Sequence, residues 1–133
     1  MRVLVISLAV LATSCVGSAP ADSSNTLSGE WRVAGLDGAA LDLPVGLALS
    51  IDADTIRYDS GCGGHAWTYR LDGSGIVTQR TRSPDSDCLI RSTFPREVFD
   101  VAAALDAARE VERTPANGVR LSGEGRSVTL FSQ

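Results

Sequence analysis

Apolar and polar residues alternate along most of the chain from residue 27 onward. The alternation is clearest at residues 65–71, where Trp67, Tyr69 and Leu71 fall on one face and Ala66, Thr68 and Arg70 on the other. A period of two is typical of a half-buried β-strand. The same pattern predicts further short strands at residues 30–33, 47–51, 55–59, 76–81, 110–114, 119–122 and 128–132.

One stretch has helical periodicity instead. Phe94, Val98, Val101 and Leu105 recur at the spacing of one helix face. Pro95 stands near the start of this stretch, where a missing N–H costs little. The pattern predicts a helix over residues 94–108, with Ser92 or Thr93 as its cap.

Turn-forming residues separate the predicted strands at short intervals. Asp37-Gly38, Asn117-Gly118 and the Gly-Glu-Gly at residues 123–125 are typical of tight hairpin turns. Short strands with such regular turns predict an α+β protein. We expect an antiparallel β meander or partly closed barrel of about seven to eight short strands, packed with one amphipathic helix.

The first residues have the composition of an export signal. One arginine precedes an apolar run, Val3 to Ala12, that is too short to span a bilayer. Small residues then lead to Cys15, which resembles the bacterial lipobox, and a rival cleavage point follows Ala21. We therefore predict a signal peptide at 1–14, a lipidated Cys15 opening a flexible tether at 15–26, and one domain at 27–133.

Charge and composition narrow the function classes. All twelve basic residues are arginine, and the net charge is −4. The absence of lysine excludes a P-loop and Schiff-base chemistry, since both need an amine. Acidic residues interrupt the arginines throughout, so we expect no nucleic-acid partner.

The order of motifs resembles the META domain, the family of the bacterial heat-shock protein HslJ. The motifs are a tryptophan strand after Leu27-Ser-Gly-Glu-Trp, a turn at Gly61-Cys62-Gly63, a later threonine-to-cysteine segment ending at Cys88, a helix, and a final strand. The family's asparagine in the mid-chain turn is replaced by Gly63. The resemblance implies an antiparallel β-rich fold with a packed helix in an exported, often lipid-anchored envelope protein associated with stress and drug tolerance. It implies no catalytic mechanism.

Residues 59–67, Asp-Ser-Gly-Cys-Gly-Gly-His-Ala-Trp, hold the strongest candidate chemistry. In an exported protein, Cys62 and Cys88 favour a disulfide closing a loop of about 27 residues, worth roughly 3.5 kcal/mol. Two alternatives remain open. Cys62, His65 and Cys88 could bind zinc with Asp85 or Asp87, or Cys62 could act as a nucleophile with His65 as its base. The plainest interpretation of His65 is a half-exposed residue at a strand entrance, and the three glycines would allow a sharp turn with positive φ.

Two other groups of residues have a structural interpretation beside a functional one. Trp31, Tyr58, Trp67 and Tyr69 could form a binding platform, but the shared face of Trp67 and Tyr69 favours the core. The segment 83–87, with Asp85 and Asp87, lacks the oxygen spacing of a known calcium loop and favours a solvated turn.

The sequence as a whole predicts a non-enzymatic, lipid-anchored envelope domain. We expect no catalytic residue, no metal and no cofactor, and a monomer whose partners are the membrane and an envelope protein or small ligand. One alternative is a small-ligand or inhibitor module with an apolar barrel mouth. Another is a Cys/His enzyme or metal protein. A further alternative for location is soluble export after cleavage at Ala21.

Overall fold

The computed structural model describes residues 26–133, so the predictions for residues 1–25, including Cys15, lie outside it. In chain order the strands are β1 (Gly29–Leu36), β2 (Ala39–Ala40), β3 (Ala48–Ile51), β4 (Thr55–Tyr58), β5 (His65–Asp72), β6 (Gly75–Arg82), β7 (Glu110–Arg113), β8 (Val119–Gly123) and β9 (Arg126–Ser132). The helices are α1 (Ser86–Arg91) and α2 (Arg96–Ala107), and a short 3₁₀ turn covers Gly61–Gly63.

The strands form one antiparallel sheet that closes on itself. Each of β3 to β8 pairs with the next strand in sequence, and β1 pairs with both β3 and β9. The result is an eight-stranded barrel, with β2 as an extra strand hydrogen-bonded to the end of β1. The predicted fold class is confirmed, and the barrel is closed rather than partly open.

Hairpin turns set the register of this barrel. Asp37 and Gly38 both have positive φ, at 51° and 84°, and so do Glu124 and Gly125, at 53° and 77°. Two consecutive residues with positive φ make the turn whose twist matches that of paired strands. The turns predicted at these positions therefore join β1 to β2 and β8 to β9.

The barrel wall is weakest between β6 and β7, which share a single paired position, Gly75 with Glu110. The end of α2 lies against this seam. Thr78 Oγ1 on β6 donates a hydrogen bond of 2.7 Å to the carbonyl oxygen of Leu105. The helix thus covers a strand edge that would otherwise be open.

The core follows the predicted alternation. Trp67 and Tyr69 are buried on the inner face of β5, and Val98, Val101 and Leu105 are buried on α2. The side chains with no exposed surface include Ile56, Ala104, Leu105, Ala108, Val119, Leu121, Val128 and Leu130. The barrel interior is therefore filled by side chains from both the sheet and the helix.

The helical prediction needs two corrections. The main helix begins at Arg96, so Phe94 lies before it, and Pro95 occupies the capping position without a side-chain hydrogen bond from Ser92 or Thr93. Proline restricts the residue before it to extended backbone, which prevents the helix from starting at Phe94. In addition, α1 forms where a loop was expected, because Asp85 accepts a hydrogen bond of 2.6 Å from the backbone N–H of Cys88.

Asp37 connects the turn after β1 to the helix. Its carboxylate accepts hydrogen bonds of 3.0 Å from Arg126 Nε and from the backbone N–H of Ser127. Arg126 Nη2 also donates to the carbonyl oxygen of Asp100 on α2, at 3.2 Å. The Arg126 guanidinium holds the pKa of Asp37 below its usual value of 3.8, with the Ser127 N–H as the second cause.

Candidate functional site

The segment Gly61–Gly64, here called the glycine turn, joins β4 to β5 and carries Cys62. Only Gly61 has positive φ, at 53°. A Cβ on Gly63 would lie 2.3 Å from a ring carbon of Phe94, and one on Gly64 would lie 3.0 Å from the carbonyl oxygen of Tyr58. The expectation of positive φ for all three glycines is therefore wrong for Gly63 and Gly64, whose small size instead permits close packing.

Cys62 and Cys88 are joined by a disulfide, with their Cα atoms 5.7 Å apart. This separation lies within the usual range of about 4.4–6.8 Å. Cys62 is exposed, whereas Cys88 is buried at 4 % exposure. Because both sulfurs are in the disulfide, neither is a free thiolate. In this state Cys62 cannot act as a nucleophile, and neither Cys62 nor Cys88 can bind zinc.

His65 opens β5 as predicted, but its side chain is buried, with 2 % exposed. The expectation of a half-exposed histidine is wrong. Its Nδ1 lies 3.1 Å from the carbonyl oxygen of Gly63. Because a carbonyl oxygen only accepts, Nδ1 carries the proton in the neutral ring. Burial lowers the pKa of His65, and the nearby charge of Arg80 lowers it further, so the ring is neutral at pH 7.

Four rings, Phe94, Phe99, His65 and Trp67, follow one another and are here called the aromatic row. His65 stacks on Trp67 with centroids 5.7 Å apart and planes 9° from parallel. Phe99 meets His65 edge-on at 6.2 Å, and Phe94 meets Phe99 edge-on at 6.4 Å. The row links the segment after α1 to the inner face of β5.

Asp106 on α2 holds the inner end of the aromatic row. Its Oδ1 accepts a hydrogen bond of 2.7 Å from Trp67 Nε1, and Arg80 Nε donates to the same oxygen at 3.1 Å. The Arg80 guanidinium also lies over the Trp67 ring, 5.5 Å from its centroid. Sequence reasoning missed Asp106 and Arg80, since neither belongs to a motif and they are 26 residues apart.

A cavity of about 10 Å³ lies between the sheet and α2, at the end of the barrel that holds His65 and Trp67. It is lined by Leu47, Leu49, Tyr58, His65, Trp67, Val98, Val101 and Ala102. Such a volume holds about one water molecule. Trp31, Trp67 and Tyr69 are buried and Tyr58 is partly buried, so the core interpretation of these aromatics is confirmed.

Three large apolar side chains of the two helices are exposed, among polar and charged neighbours. Leu89 and Ile90 on α1 are 43 % and 82 % exposed, and Phe99 on α2 is 38 % exposed. A separate polar groove of about 490 Å³ lies beside the β8–β9 turn. Its charged lining residues are Asp37, Arg109, Glu110, Arg120, Glu124 and Arg126. Three of these residues are acidic and three are basic, so the charges balance and the groove favours neither an anion nor a cation.

Residues 83–87 hold the start of α1, with Asp85 as the helix cap and Asp87 in the first turn. Among residues 26–133, no group of three or more His, Cys, Asp or Glu side chains is placed to hold a metal ion. Nor does that part of the chain contain a helix both long and apolar enough to cross a membrane.

The fold defines an α+β protein, a closed antiparallel β-barrel sealed along one seam by a helix. No protein-family model and no curated protein matches the chain. A similar solved structure is the crystal structure of a DUF4847 family protein from Bacteroides vulgatus ATCC 8482, which is 16 % identical with a TM-score of 0.58. The match covers 80 % of this chain and 93 % of that chain. At this identity the likeness shows the fold alone.

Proposed function

We propose that the protein is an exported cell-envelope domain that acts by binding rather than by catalysis. The Cys62–Cys88 disulfide is the observation that carries this proposal. Paired cysteines of this kind persist in oxidising compartments and are rare in the cytosol. The signal-like residues 1–14 give an independent sequence argument for the same compartment.

Three features support binding over catalysis. Cys62 is engaged in the disulfide, His65 is enclosed by aromatic rings, and Nδ1 of His65 is occupied by the Gly63 carbonyl. A Cys/His enzyme needs a free thiolate with an accessible base beside it. The cavity of about 10 Å³ next to His65 also leaves little room for a substrate.

The META/HslJ resemblance supports an envelope role linked to stress or drug tolerance. The β-rich barrel with its packed helix agrees with the fold that this resemblance implies. The proposed partners are the membrane, through a lipid on Cys15, and an envelope protein or small ligand. We further propose that the domain is a monomer.

The intact mass of the mature protein, purified from an export-competent bacterium, tests this proposal. A lipidated chain beginning at Cys15 is expected in the membrane fraction, and Cys15→Ala should move the protein to the soluble envelope fraction. A mature chain that begins at Asp22 without lipid would contradict the proposed lipid anchor but would still agree with export. Retention of the uncleaved chain in the cytosol would contradict both.

A further inference from the structure

The segment 83–95, here called the α1 segment, is attached to the barrel differently from every strand. Cys88 is the one buried residue of α1, and Leu89 and Ile90 face solvent. Cys88 also stands outside the main cluster of buried core residues. The hydrophobic effect therefore contributes little to holding α1 in place.

Two non-covalent contacts accompany the disulfide at the glycine turn. Arg82 Nη2, at the end of β6, donates a hydrogen bond of 2.8 Å to the carbonyl oxygen of Gly61. The Phe94 ring packs directly on Gly63. The hydrogen bond is exposed, and exposed bonds of this kind contribute little. Arg82 and Phe94 both lie outside α1, so the disulfide is the main attachment of α1 itself to the glycine turn.

The two sulfur-bearing residues differ in access. Cys62 is exposed on the glycine turn, whereas Cys88 is the buried residue of α1. A thiolate arriving from solvent therefore meets the Cys62 side of the bond first. Exposed disulfides are the ones that reductants reach, in contrast to those buried inside a core.

We propose that Cys62–Cys88 is a reducible latch, which a dithiol opens to release the α1 segment while the barrel stays folded. This property goes beyond the proposed function, since an envelope binding domain could equally carry a permanent disulfide. The partner is defined by its chemistry as a molecule or protein with two neighbouring thiols.

The exchange reaction balances in two steps. A thiolate of the dithiol attacks Cys62 Sγ, a new sulfur–sulfur bond forms, and Cys88 leaves as a thiolate that takes a proton from water. The second thiolate of the reductant then attacks the reductant's first sulfur, which is bonded to Cys62 in the mixed disulfide. Cys62 is displaced as a thiolate and is protonated in turn. Two electrons pass to the protein, and the dithiol leaves as a disulfide.

Opening the disulfide is expected to change the end of the barrel that holds His65, because the aromatic row connects that end to the α1 segment. Phe94 follows α1 and contacts both Gly63 and Phe99, and Phe99 in turn contacts the His65 ring. Movement of the α1 segment therefore removes the outermost ring of the row. Reduction is expected to uncover the Phe99 and His65 side of the barrel end, whereas Trp67 stays bound to Asp106.

Differential alkylation of the full chain tests access to the disulfide. Any free thiol, including Cys15 where it carries no lipid, is first blocked with a light reagent. Dithiothreitol is then added without denaturant, and new thiols are labelled with a heavy reagent. Heavy label on both Cys62 and Cys88 is the expected result. Labelling that requires urea would overturn the proposal, since the bond would then open only on unfolding.

Hydrogen exchange of the same samples distinguishes local release from unfolding. Reduction should remove amide protection from residues 83–95, raising their exchange by about ten-fold or more, whereas β8 and β9 should stay protected and exchange faster only by the factor that the lower global stability sets. Loss of protection in β8 and β9 as well would overturn the latch, because the barrel would have opened as a whole. Cys62→Ser/Cys88→Ser is the matched control, which should exchange like the reduced protein and not respond to dithiothreitol. None of these outcomes depends on the location of the protein, so the latch and the proposed function can fail separately.

Discussion

The β8–β9 hairpin and the α1 segment are held in place by opposite means. Val119, Leu121, Val128 and Leu130 of the hairpin have no exposed surface and form part of the core. On α1 only Cys88 is buried, and a covalent bond connects it to the glycine turn. Burial is sufficient to order the first region, whereas the second depends on a cross-link.

The difference arises from how apolar residues are spaced. In β8 and β9 they recur at intervals of two, so one face of the hairpin can be buried completely. In α1, Leu89 and Ile90 are adjacent, and neighbouring residues on a helix point in different directions. Six residues also make too short a helix to be stable alone. Without a continuous apolar face, α1 needs the disulfide.

The largest effect is expected in the region held by burial. Leu105→Ala removes a side chain with no exposed surface, and should lower the free energy of unfolding by about 3–5 kcal/mol. Urea denaturation measures the change. Ile90→Ala on α1 is the matched control and should change stability by less than about 0.5 kcal/mol. Equal effects of the two substitutions would contradict the comparison.

Removal of the cross-link comes next. Cys62→Ser/Cys88→Ser opens a loop with a sequence separation of 26. Chain entropy then predicts a loss of about 3.5 kcal/mol in the free energy of unfolding. Calorimetry of the variant against the oxidised wild type measures it, and the wild type in reductant should show a similar loss. A loss below about 0.5 kcal/mol would mean that the bond does not restrict the unfolded chain.

A smaller effect is expected where the α1 segment touches the glycine turn. Gly63→Ala places a Cβ into the Phe94 ring and should cost about 1–3 kcal/mol. Phe94→Ala in the same chain should recover part of this loss, measured as a double-mutant cycle. Gly46→Ala, whose Cβ meets nothing within 4 Å, is the control and should be nearly neutral. Additive losses in the cycle would show that the two residues do not interact.

The smallest effect is a pH dependence from His65. Burial lowers its pKa in the folded protein, so the unfolded chain binds the proton more readily. Stability should therefore decline as pH falls below about 6.5, the value expected in the unfolded chain. Asp37, whose pKa is also lowered, adds a loss only as pH falls below about 4.

The substitution His65→Phe separates the pH dependence due to His65 from that due to Asp37. It keeps an aromatic ring against Trp67 but cannot titrate, so stability between about pH 4.5 and 6.5 should become flatter than in the wild type. Denaturant midpoints across this range provide the measurement. An unchanged slope would place the titrating group elsewhere. The substitution Asp37→Asn should flatten only the more acidic part of the profile.

Much of the fold could be predicted from local pattern, because each predicted strand shows its period of two within the strand itself. Trp67 and Tyr69 are an example, since their spacing alone places them on one buried face. The pairing of Cys62 with Cys88 also agrees with the prediction, which assumed export to an oxidising compartment, where two cysteines in one domain usually pair. The ends of the helices were less predictable. The formation of α1 depends on a cap at Asp85, and the start of α2 on the restriction before Pro95.

The sequence by itself determined the α+β class, the antiparallel order of the strands, the core face of β5 and the cysteine pair. These properties depend on the spacing of neighbouring residues and on the chemistry of one residue type. Closure of the barrel through β1 and β9, the burial of His65 and the contact of Asp106 with Trp67 were decided only by the tertiary structure. They join residues far apart in the chain, and nothing in the local pattern of one partner specifies the other.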